Sequence, residues 1–138
     1  MIKLSTKLRV RYADTDSMGV VYHSNYIVYL EVGRTELMRQ INLSYNDLES
    51  THQIAMPVVD INCKYKRPAF YDDVLEIKTW VSEIPFSARI NFNYEIYRMQ
   101  NDLPIVTANT TLAFVSLKNK KTIRCPDFVK EALKKNLF

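Results

Sequence analysis

Apolar and polar residues alternate along several stretches of the chain, which is the pattern of β-strands with one solvated face. The first predicted strand covers residues 7–12, and the second covers residues 59–66. Three more strands are predicted over residues 74–82, 88–99 and 105–117. The links between these later strands are too short for crossover connections, so we expect antiparallel neighbours.

The period changes between the first strand and the second. From about Tyr22 the apolar positions recur every three or four residues, which predicts a long helix with the stripe Tyr26, Leu30, Gly33, Leu37 and Ile41. Glycine within a helix costs about 1 kcal/mol relative to alanine. Gly33 therefore indicates that this helix lies very close to another backbone, and a sheet surface is the expected neighbour.

Two shorter helices complete the prediction. Ser44, followed three positions later by Asp47, has the pattern of a capping residue and predicts a helix over residues 44–51. The last segment, residues 126–137, predicts an amphipathic terminal helix. Its expected inward residues are Phe128, Val129, Ala132 and Leu133.

The order of these elements, one strand, two helices, four strands and a last helix, is typical of an α+β domain. The chain has 138 residues, so we expect one domain over residues 1–138. One long helix cannot cover both faces of a five-stranded sheet, and an exposed sheet edge is prone to unwanted pairing. Homodimerisation would cover such an edge and is therefore expected.

The composition excludes several kinds of site. Gly19 and Gly33 are the only glycines, which excludes a dinucleotide fingerprint, a phosphate-binding P-loop and a G-x-S-x-G nucleophile elbow. The two cysteines and two histidines share no metal-ligand spacing, so neither a metal nor a redox cofactor is expected. A net charge of +4 suggests affinity for anions. Nucleic acid is not an expected partner, because no recognised motif or basic stripe with interleaved aromatics is present.

The N-terminal residues and the cysteine content bear on location. Residues 1–7 lack the apolar stretch of a secretory signal, and two cysteines cannot form a disulfide framework. The longest uninterrupted apolar run, Tyr26 to Leu30, is far shorter than the ~20 residues needed to cross a bilayer. We therefore expect a cytoplasmic protein without a membrane span.

The segment between the first strand and the long helix carries the candidate chemistry. Asp14 and Asp16 stand just ahead of the helix, whose first turn has unpaired N–H groups that bind anions or a developing oxyanion. A nearby carboxylate can act as nucleophile or general base, so the combination suits acyl transfer. A second interpretation stays open, in which both aspartates only stabilise the turn and the helix cap.

A longer motif carries a family resemblance. The segment from Asp14 to Tyr26 resembles the signature D-T-D-x-x-G-V-V-Y-H-x-N-Y of the hot-dog-fold acyl-CoA thioesterases of the 4-hydroxybenzoyl-CoA thioesterase type, particularly the Tol-Pal-associated branch. Further matching segments are Glu31, Gly33–Glu36, Arg67–Ala69, Tyr71–Asp73 and Arg124–Pro126. The resemblance covers nearly the whole chain. It implies a hot-dog fold, in which a five-stranded antiparallel sheet wraps around a long central helix.

The resemblance implies an enzyme that hydrolyses an acyl-CoA thioester to a free acid and coenzyme A. It makes Asp16 the catalytic carboxylate, as nucleophile or as base toward water, and the backbone N–H of His23 the group that polarises the thioester carbonyl. The His23 imidazole is either a second catalytic group or a packing group. The other expected substrate-binding residues are Gly19, Val20, Val21, Tyr22, Val58 and Val59. Tyr26 is a further candidate to line the acyl site, and for Tyr26 and Val59 the alternative is a core position beneath the helix.

Coenzyme A is polyanionic, so its phosphates need arginine or lysine side chains. The resemblance implies that Arg89 contacts the nucleotide, with Lys64, Lys118 and Lys121 as weaker candidates. It also implies a homodimer or homotetramer with the active site at the subunit junction. An acyl carrier protein is the alternative carrier of the acyl group.

Two other functions stay open for a hot-dog domain, because a shared fold does not determine function. One is a non-catalytic module that binds acyl-CoA or acyl carrier protein. The other is a dehydratase, which would need a catalytic pair of His with Asp or Glu in the helix region. Release of thiol from acyl-CoA separates the enzyme from the binding module.

Overall fold

The computed structural model describes all residues from Met1 to Phe138. The strands are β1 (Leu4–Arg9), β2 (Ile54–Ala55), β3 (Val58–Tyr65), β4 (Val74–Trp80), β5 (Arg89–Arg98), β6 (Val106–Ala113) and β7 (Val115–Ser116). The helices are α1 (Asn25–Gln40), α2 (Tyr45–Ser50) and α3 (Asp127–Leu137), and a 3₁₀ turn covers Tyr12–Asp14. None of the helices is long and apolar enough to span a membrane.

The alternating segments form one antiparallel sheet with the strand order β1-β4-β5-β6-β3. Burial alternates along β4 and β5, whose inward side chains Leu75, Ile77, Ile90, Phe92 and Ile96 face α1. The short β2 pairs with β7 in a separate two-stranded sheet. The prediction of an α+β fold with five antiparallel strands is confirmed.

Several predicted boundaries differ from the observed ones. The first strand covers residues 4–9 instead of 7–12, because residues 12–14 form the 3₁₀ turn. The long helix begins at Asn25, three residues later than predicted, since the residues before it belong to the turn system around Asp14. The last predicted strand, residues 105–117, is divided into β6 and β7, which pair with different strands.

Gly33 makes the close approach that its place in the apolar stripe predicts. A Cβ atom at this position would lie 2.5 Å from Oγ1 of Thr79 and 2.7 Å from Cγ2 of Ile77, both on β4. Such separations are well inside van der Waals contact, so no side chain fits between α1 and β4 here. The glycine thus sets how closely the helix packs on the sheet.

We expect Gly33→Ala to destabilise the protein by about 1–3 kcal/mol, because the overpacking outweighs the gain of about 1 kcal/mol in helix propensity. Urea unfolding followed by circular dichroism measures the difference. Gln40→Ala, at the exposed end of the same helix, is the control and should change the free energy of unfolding by less than about 0.5 kcal/mol. An equal or higher stability of Gly33→Ala would contradict the packing argument.

A buried arginine connects α1 to its neighbours. Arg34 donates hydrogen bonds from Nε to the hydroxyl of Tyr45 at 2.9 Å and from Nη1 to the hydroxyl of Tyr94 at 3.1 Å. The Tyr94 hydroxyl also shares a hydrogen bond of 2.6 Å with Thr110. This polar network ties α1 to α2 and to the middle of β5 and β6.

The edge strand β3 departs from the predicted alternation. Seven of its eight residues are exposed and Cys63 is only half-buried, so neither face of this strand lies in the core. The reason is the position of α1, which packs mainly on β4, β1 and β5 and meets β3 only at its end, where Tyr26 contacts Tyr65. Val59 is 47% exposed, so the alternative of a core position for it is wrong.

The terminal helix α3 is confirmed, with one inward residue misassigned. Val129 and Leu133 are fully buried, as predicted. Phe128 is 36% exposed and stacks on the ring of His52, with 4.2 Å between ring centroids. His52 is exposed between α2 and β2, so the stacking keeps Phe128 at the surface and outside the core.

Candidate active site

Asp14 organises the loop before α1. Its carboxylate accepts hydrogen bonds from Nη2 of Arg11 at 2.9 Å and from the hydroxyl of Tyr29, one helical turn into α1, at 2.8 Å. Its backbone carbonyl accepts from the N–H of Tyr22 at 2.9 Å and from Nδ2 of Asn25 at 2.8 Å. Asp14 thereby fixes where the helix begins relative to the loop.

The environment of Asp14 keeps its carboxyl ionised. Burial acts to raise the pKa of this group, but the hydrogen bonds from Arg11 and Tyr29 outweigh burial and hold the pKa below its usual range. Burial, and next the hydrogen bond to Asp14, raises the pKa of the Tyr29 hydroxyl. The interpretation of Asp14 as a turn-stabilising residue therefore fits its geometry.

Asp16 has a different environment, at the base of a small hairpin. Its backbone N–H donates to the carbonyl of Val20 at 2.9 Å, and its carbonyl accepts from the N–H of Gly19 at 3.0 Å. Gly19 has a φ of +80°, a left-handed conformation that glycine adopts without strain and that closes the turn. The turn directs the partly exposed side chain of Asp16 back over its own loop.

The two carboxylate oxygens of Asp16 are not equivalent. Oδ1 accepts hydrogen bonds from the backbone N–H groups of Met18 at 2.8 Å and of Val20 at 3.4 Å. Oδ2 makes no hydrogen bond within the protein, and no cation pairs with the group. One oxygen thus holds the carboxylate in place, and the other is free to meet a substrate.

The start of α1 leaves two consecutive backbone N–H groups without acceptors. The N–H of Tyr22 is bonded to Asp14 and that of Asn25 to the carbonyl of Tyr22, but those of His23 and Ser24 donate to no group of the protein. The Ser24 side chain does not cap the helix, because this residue already has helical φ and ψ. Such a pair of N–H groups at a helix start is suited to bind a carbonyl oxygen that gains negative charge.

The predicted site residues separate into two places. The bridge between Thr15 and Val21 closes the hairpin, and the bridge between Val20 and Phe70 attaches it to the segment after β3. The structure therefore brings together one group of predicted residues, Asp16, Gly19, Val20, Val21, Tyr22 and His23. Val58 lies at the opposite end of β3 from Tyr65, and its neighbour Val59 is at that end too.

A cleft of about 270 Å³ adjoins the start of α1. It is lined by Val21, His23, Tyr26, Tyr65, Lys66, Arg67 and Pro68. The His23 imidazole is exposed, makes no hydrogen bond, and packs 4.4 Å from the ring of Tyr22. Because no hydrogen bond orients this imidazole, the geometry favours the backbone N–H of His23 over its side chain as the functional group.

Tyr65 is a cleft residue that the sequence pattern identified only as a strand position. Its hydroxyl donates to the carbonyl of His23 at 3.2 Å, and its ring lies 5.5 Å from that of Tyr26. The two bonded residues are 42 positions apart, so no local spacing indicates the contact. An alternating strand that ends in tyrosine directly before Lys66-Arg67-Pro68 is the only sign of it in the sequence.

Arg89 lies far from this loop in the same chain. It begins β5 and pairs with Ala113, at the end of the sheet where Val58 also lies. The loop with Asp16 adjoins the opposite end, where Arg98 closes β5. The 10 residues of β5, at about 3.3 Å each, separate those two ends by about 30 Å.

No group of three or more His, Cys, Asp or Glu side chains is placed to hold a metal ion. Both cysteines are free, and burial raises the pKa of the Cys63 thiol and raises that of Cys125 to about 11. The candidate chemistry of this site therefore depends on a carboxylate and on backbone N–H groups.

Comparison with known proteins identifies the family to which this fold belongs. Residues 10–133 match the model of the thioesterase-like superfamily. The chain is 37% identical over 128 residues to the acyl-CoA thioesterase YbgC of Haemophilus influenzae, which covers 93% of this chain and 92% of that protein. It is 35% identical over 96 residues to the acyl-CoA thioester hydrolase YbgC of Escherichia coli O157:H7, covering 70% of each.

A solved structure agrees with these relatives. The DHNA-CoA thioesterase from Staphylococcus aureus is 37% identical, with a TM-score of 0.87 over 98% of this chain and 91% of that one. The hot-dog fold that the sequence motif implied is confirmed. The chain belongs to the thioesterase-like superfamily, and the expectation of a thioester hydrolase is confirmed at the level of this family.

Proposed function

We propose that this protein hydrolyses acyl-CoA thioesters, with Asp16 as the reacting carboxylate and the start of α1 as the oxyanion site. The observation that carries the proposal is the pair of unbonded N–H groups at His23 and Ser24, across a short hairpin from a carboxylate with one free oxygen. The names of the relatives support the substrate class.

The thioester carbonyl oxygen accepts hydrogen bonds from the His23 and Ser24 N–H groups, which polarise the carbonyl carbon. In one route Asp16 takes a proton from water as the water oxygen bonds to that carbon, and the negative charge moves to the carbonyl oxygen. The C–S bond then breaks, and the thiolate of coenzyme A takes the proton back from Asp16. In the other route Asp16 attacks directly, the thiolate leaves, and water hydrolyses the resulting anhydride.

The cleft beside the helix start suits a substrate with an apolar acyl part and an anionic carrier. Its lining includes the aromatic rings of His23, Tyr26 and Tyr65 together with the cationic residues Lys66 and Arg67. The similarity to the DHNA-CoA thioesterase from Staphylococcus aureus supports testing an aromatic acyl group first. Coenzyme A is the proposed carrier, and an acyl carrier protein is the alternative.

We further propose that two copies pair through their β3 edges into a homodimer, alone or within a tetramer. β3 has one neighbour in the sheet, and its exposed apolar residues are Val58, Val59, Ile61 and Tyr65. An unpaired strand with exposed apolar residues is a template for another strand. The other edge, β1, carries outward Lys7 and Arg9, which disfavour pairing.

Edge pairing would let Arg89 contact the substrate of a second copy, whereas within one chain it lies far from the loop with Asp16. In an antiparallel pair of β3 strands, the Tyr65 end of one copy meets the Val58 end of the other. Arg89 lies at that Val58 end, so the proposed nucleotide contact is made to the substrate held by the second copy.

The signature between Asp14 and Tyr26 supports assignment to the Tol-Pal-associated branch as part of this proposal. The family match over residues 10–133 supports a single domain over residues 1–138. A cytoplasmic location stays a prediction from the sequence.

The test is hydrolysis of a substrate panel by the purified protein, measured as release of free thiol. The panel contains 1,4-dihydroxy-2-naphthoyl-CoA, 4-hydroxybenzoyl-CoA and short and long aliphatic acyl-CoAs. We expect turnover of at least one member, with kcat in the common range of about 1–10³ s⁻¹. Binding of acyl-CoA without thiol release across the panel would instead identify a non-catalytic module.

A further inference from the structure

Tyr65 contacts the peptide group that supplies one of the two unbonded N–H groups. Its hydroxyl donates to the carbonyl oxygen of His23 at 3.2 Å. That carbonyl and the N–H of Ser24 belong to the same planar trans peptide, so they point in opposite directions. A bond that holds the carbonyl oxygen therefore also sets the direction of the Ser24 N–H.

This peptide has little else to hold it. The carbonyl of His23 accepts one other hydrogen bond, from the N–H of Tyr26 at 3.3 Å, which is longer than a typical backbone bond. The helix has no side-chain cap at Ser24, whose own N–H has no acceptor in the protein. Tyr65 thus supplies the tertiary contact that fixes this peptide from outside the helix.

We propose that Tyr65 is a positioning residue for thioester hydrolysis, which holds the His23–Ser24 peptide so that the Ser24 N–H is aimed at the developing oxyanion. The inference rests on the proposed function. The hydroxyl donated to the His23 carbonyl also polarises the peptide and makes the Ser24 N–H a stronger donor. Tyr65 acts through this peptide and does not touch the reacting atoms.

The donor stays protonated at working pH. Partial burial, and next the neighbouring Cys63 thiol, raise the pKa of Tyr65 to about 12. The residue is also the last of β3, the strand proposed to pair with a second copy. Pairing would restrain the end of β3, and with it the hydroxyl that holds the helix start.

The experiment compares Tyr65→Phe with the parent protein on the best substrate of the panel. The variant keeps the ring that lines the cleft and removes only the hydroxyl. We expect kcat to fall about 3- to 10-fold, the effect of one neutral hydrogen bond, with KM changed by less than about 2-fold. Tyr97→Phe, which removes a hydroxyl from the outer sheet face, is the matched control and should keep the parent kcat.

An NMR measurement distinguishes a role in positioning the Ser24 N–H from a general effect on the fold. With ¹⁵N-labelled serine, the amide resonance of Ser24 should shift in Tyr65→Phe and stay in place in Tyr97→Phe. A parent-like kcat, or a rise in KM at constant kcat, overturns the inference while the proposed function stands. An unshifted Ser24 resonance also overturns it. If the parent protein itself releases no thiol, the proposed function fails instead.

Discussion

Asp16→Asn should lower kcat for acyl-CoA hydrolysis by at least ~100-fold, while KM stays within a few-fold of the parent value. Asparagine keeps an Oδ1 that accepts from the N–H groups of Met18 and Val20, so the hairpin retains its shape. What is lost is the charge and basicity of the second oxygen. Steady-state kinetics with thiol detection measures the change.

Asp14→Asn is the matched control two residues away. Its carboxylate bonds to Arg11 and Tyr29, so we expect a loss of about 1–3 kcal/mol in unfolding free energy and a much smaller effect on rate. The folded-state pKa of Asp14 is lowered, so its stabilisation is complete above the ordinary carboxyl pKa and is lost as the pH falls through the folded value. Between about pH 5 and pH 2, the free energy of unfolding of Asp14→Asn should therefore fall less than that of the parent protein.

The two variants distinguish a carboxylate that takes part in the reaction from one that only stabilises the fold. A folded Asp16→Asn protein with near-parent kcat would make Asp16 a structural turn residue, and the proposed mechanism would be wrong although the family is right. If Asp14→Asn loses as much rate as Asp16→Asn at unchanged stability, Asp14 also takes part in the reaction, and the assignment of a purely structural role to it is wrong.

The sequence predicted those parts of the fold that depend on local pattern. Alternation located the strands, and the three-to-four residue period located α1 within a few residues of its ends. Gly33 was informative because a glycine inside an apolar stripe has few explanations other than close packing. Ser44 accepts from the N–H of Asp47, as the capping pattern predicted.

The remaining features depend on contacts between distant residues. The alternation over residues 7–12 continues past Arg9, where β1 ends, because a 3₁₀ turn covers residues 12–14. The bond from Tyr29 to Asp14 in that turn joins residues 15 positions apart, so the local pattern does not reveal it. Whether β3 is covered depends on where α1 crosses the sheet, which no local period encodes. The motif predicted Asp16 and His23 as site residues, whereas the contact between Tyr65 and His23 is visible only in the folded chain.

A mixed dimer should show that each active site uses Asp16 from one copy and Arg89 from the other. Alone, Arg89→Ala should raise KM for acyl-CoA, because a charged contact to the nucleotide is lost, and Asp16→Asn should be inactive. In the hetero-dimer of these two variants, one site carries both substitutions and the other carries neither. The intact site should give about half of the parent kcat per dimer, with the parent KM.

The hetero-dimer is isolated with two different affinity tags, and light scattering establishes its mass before the kinetics. The length of β5, about 30 Å, makes the comparison decisive, since Arg89 of the same chain lies at the far end of the sheet from Asp16. If the mixed species instead retains the raised KM of Arg89→Ala, the arginine acts within its own chain or elsewhere on the surface. A monomer that keeps full activity at micromolar concentration would contradict the edge-paired dimer itself, because the site would then be complete in one copy.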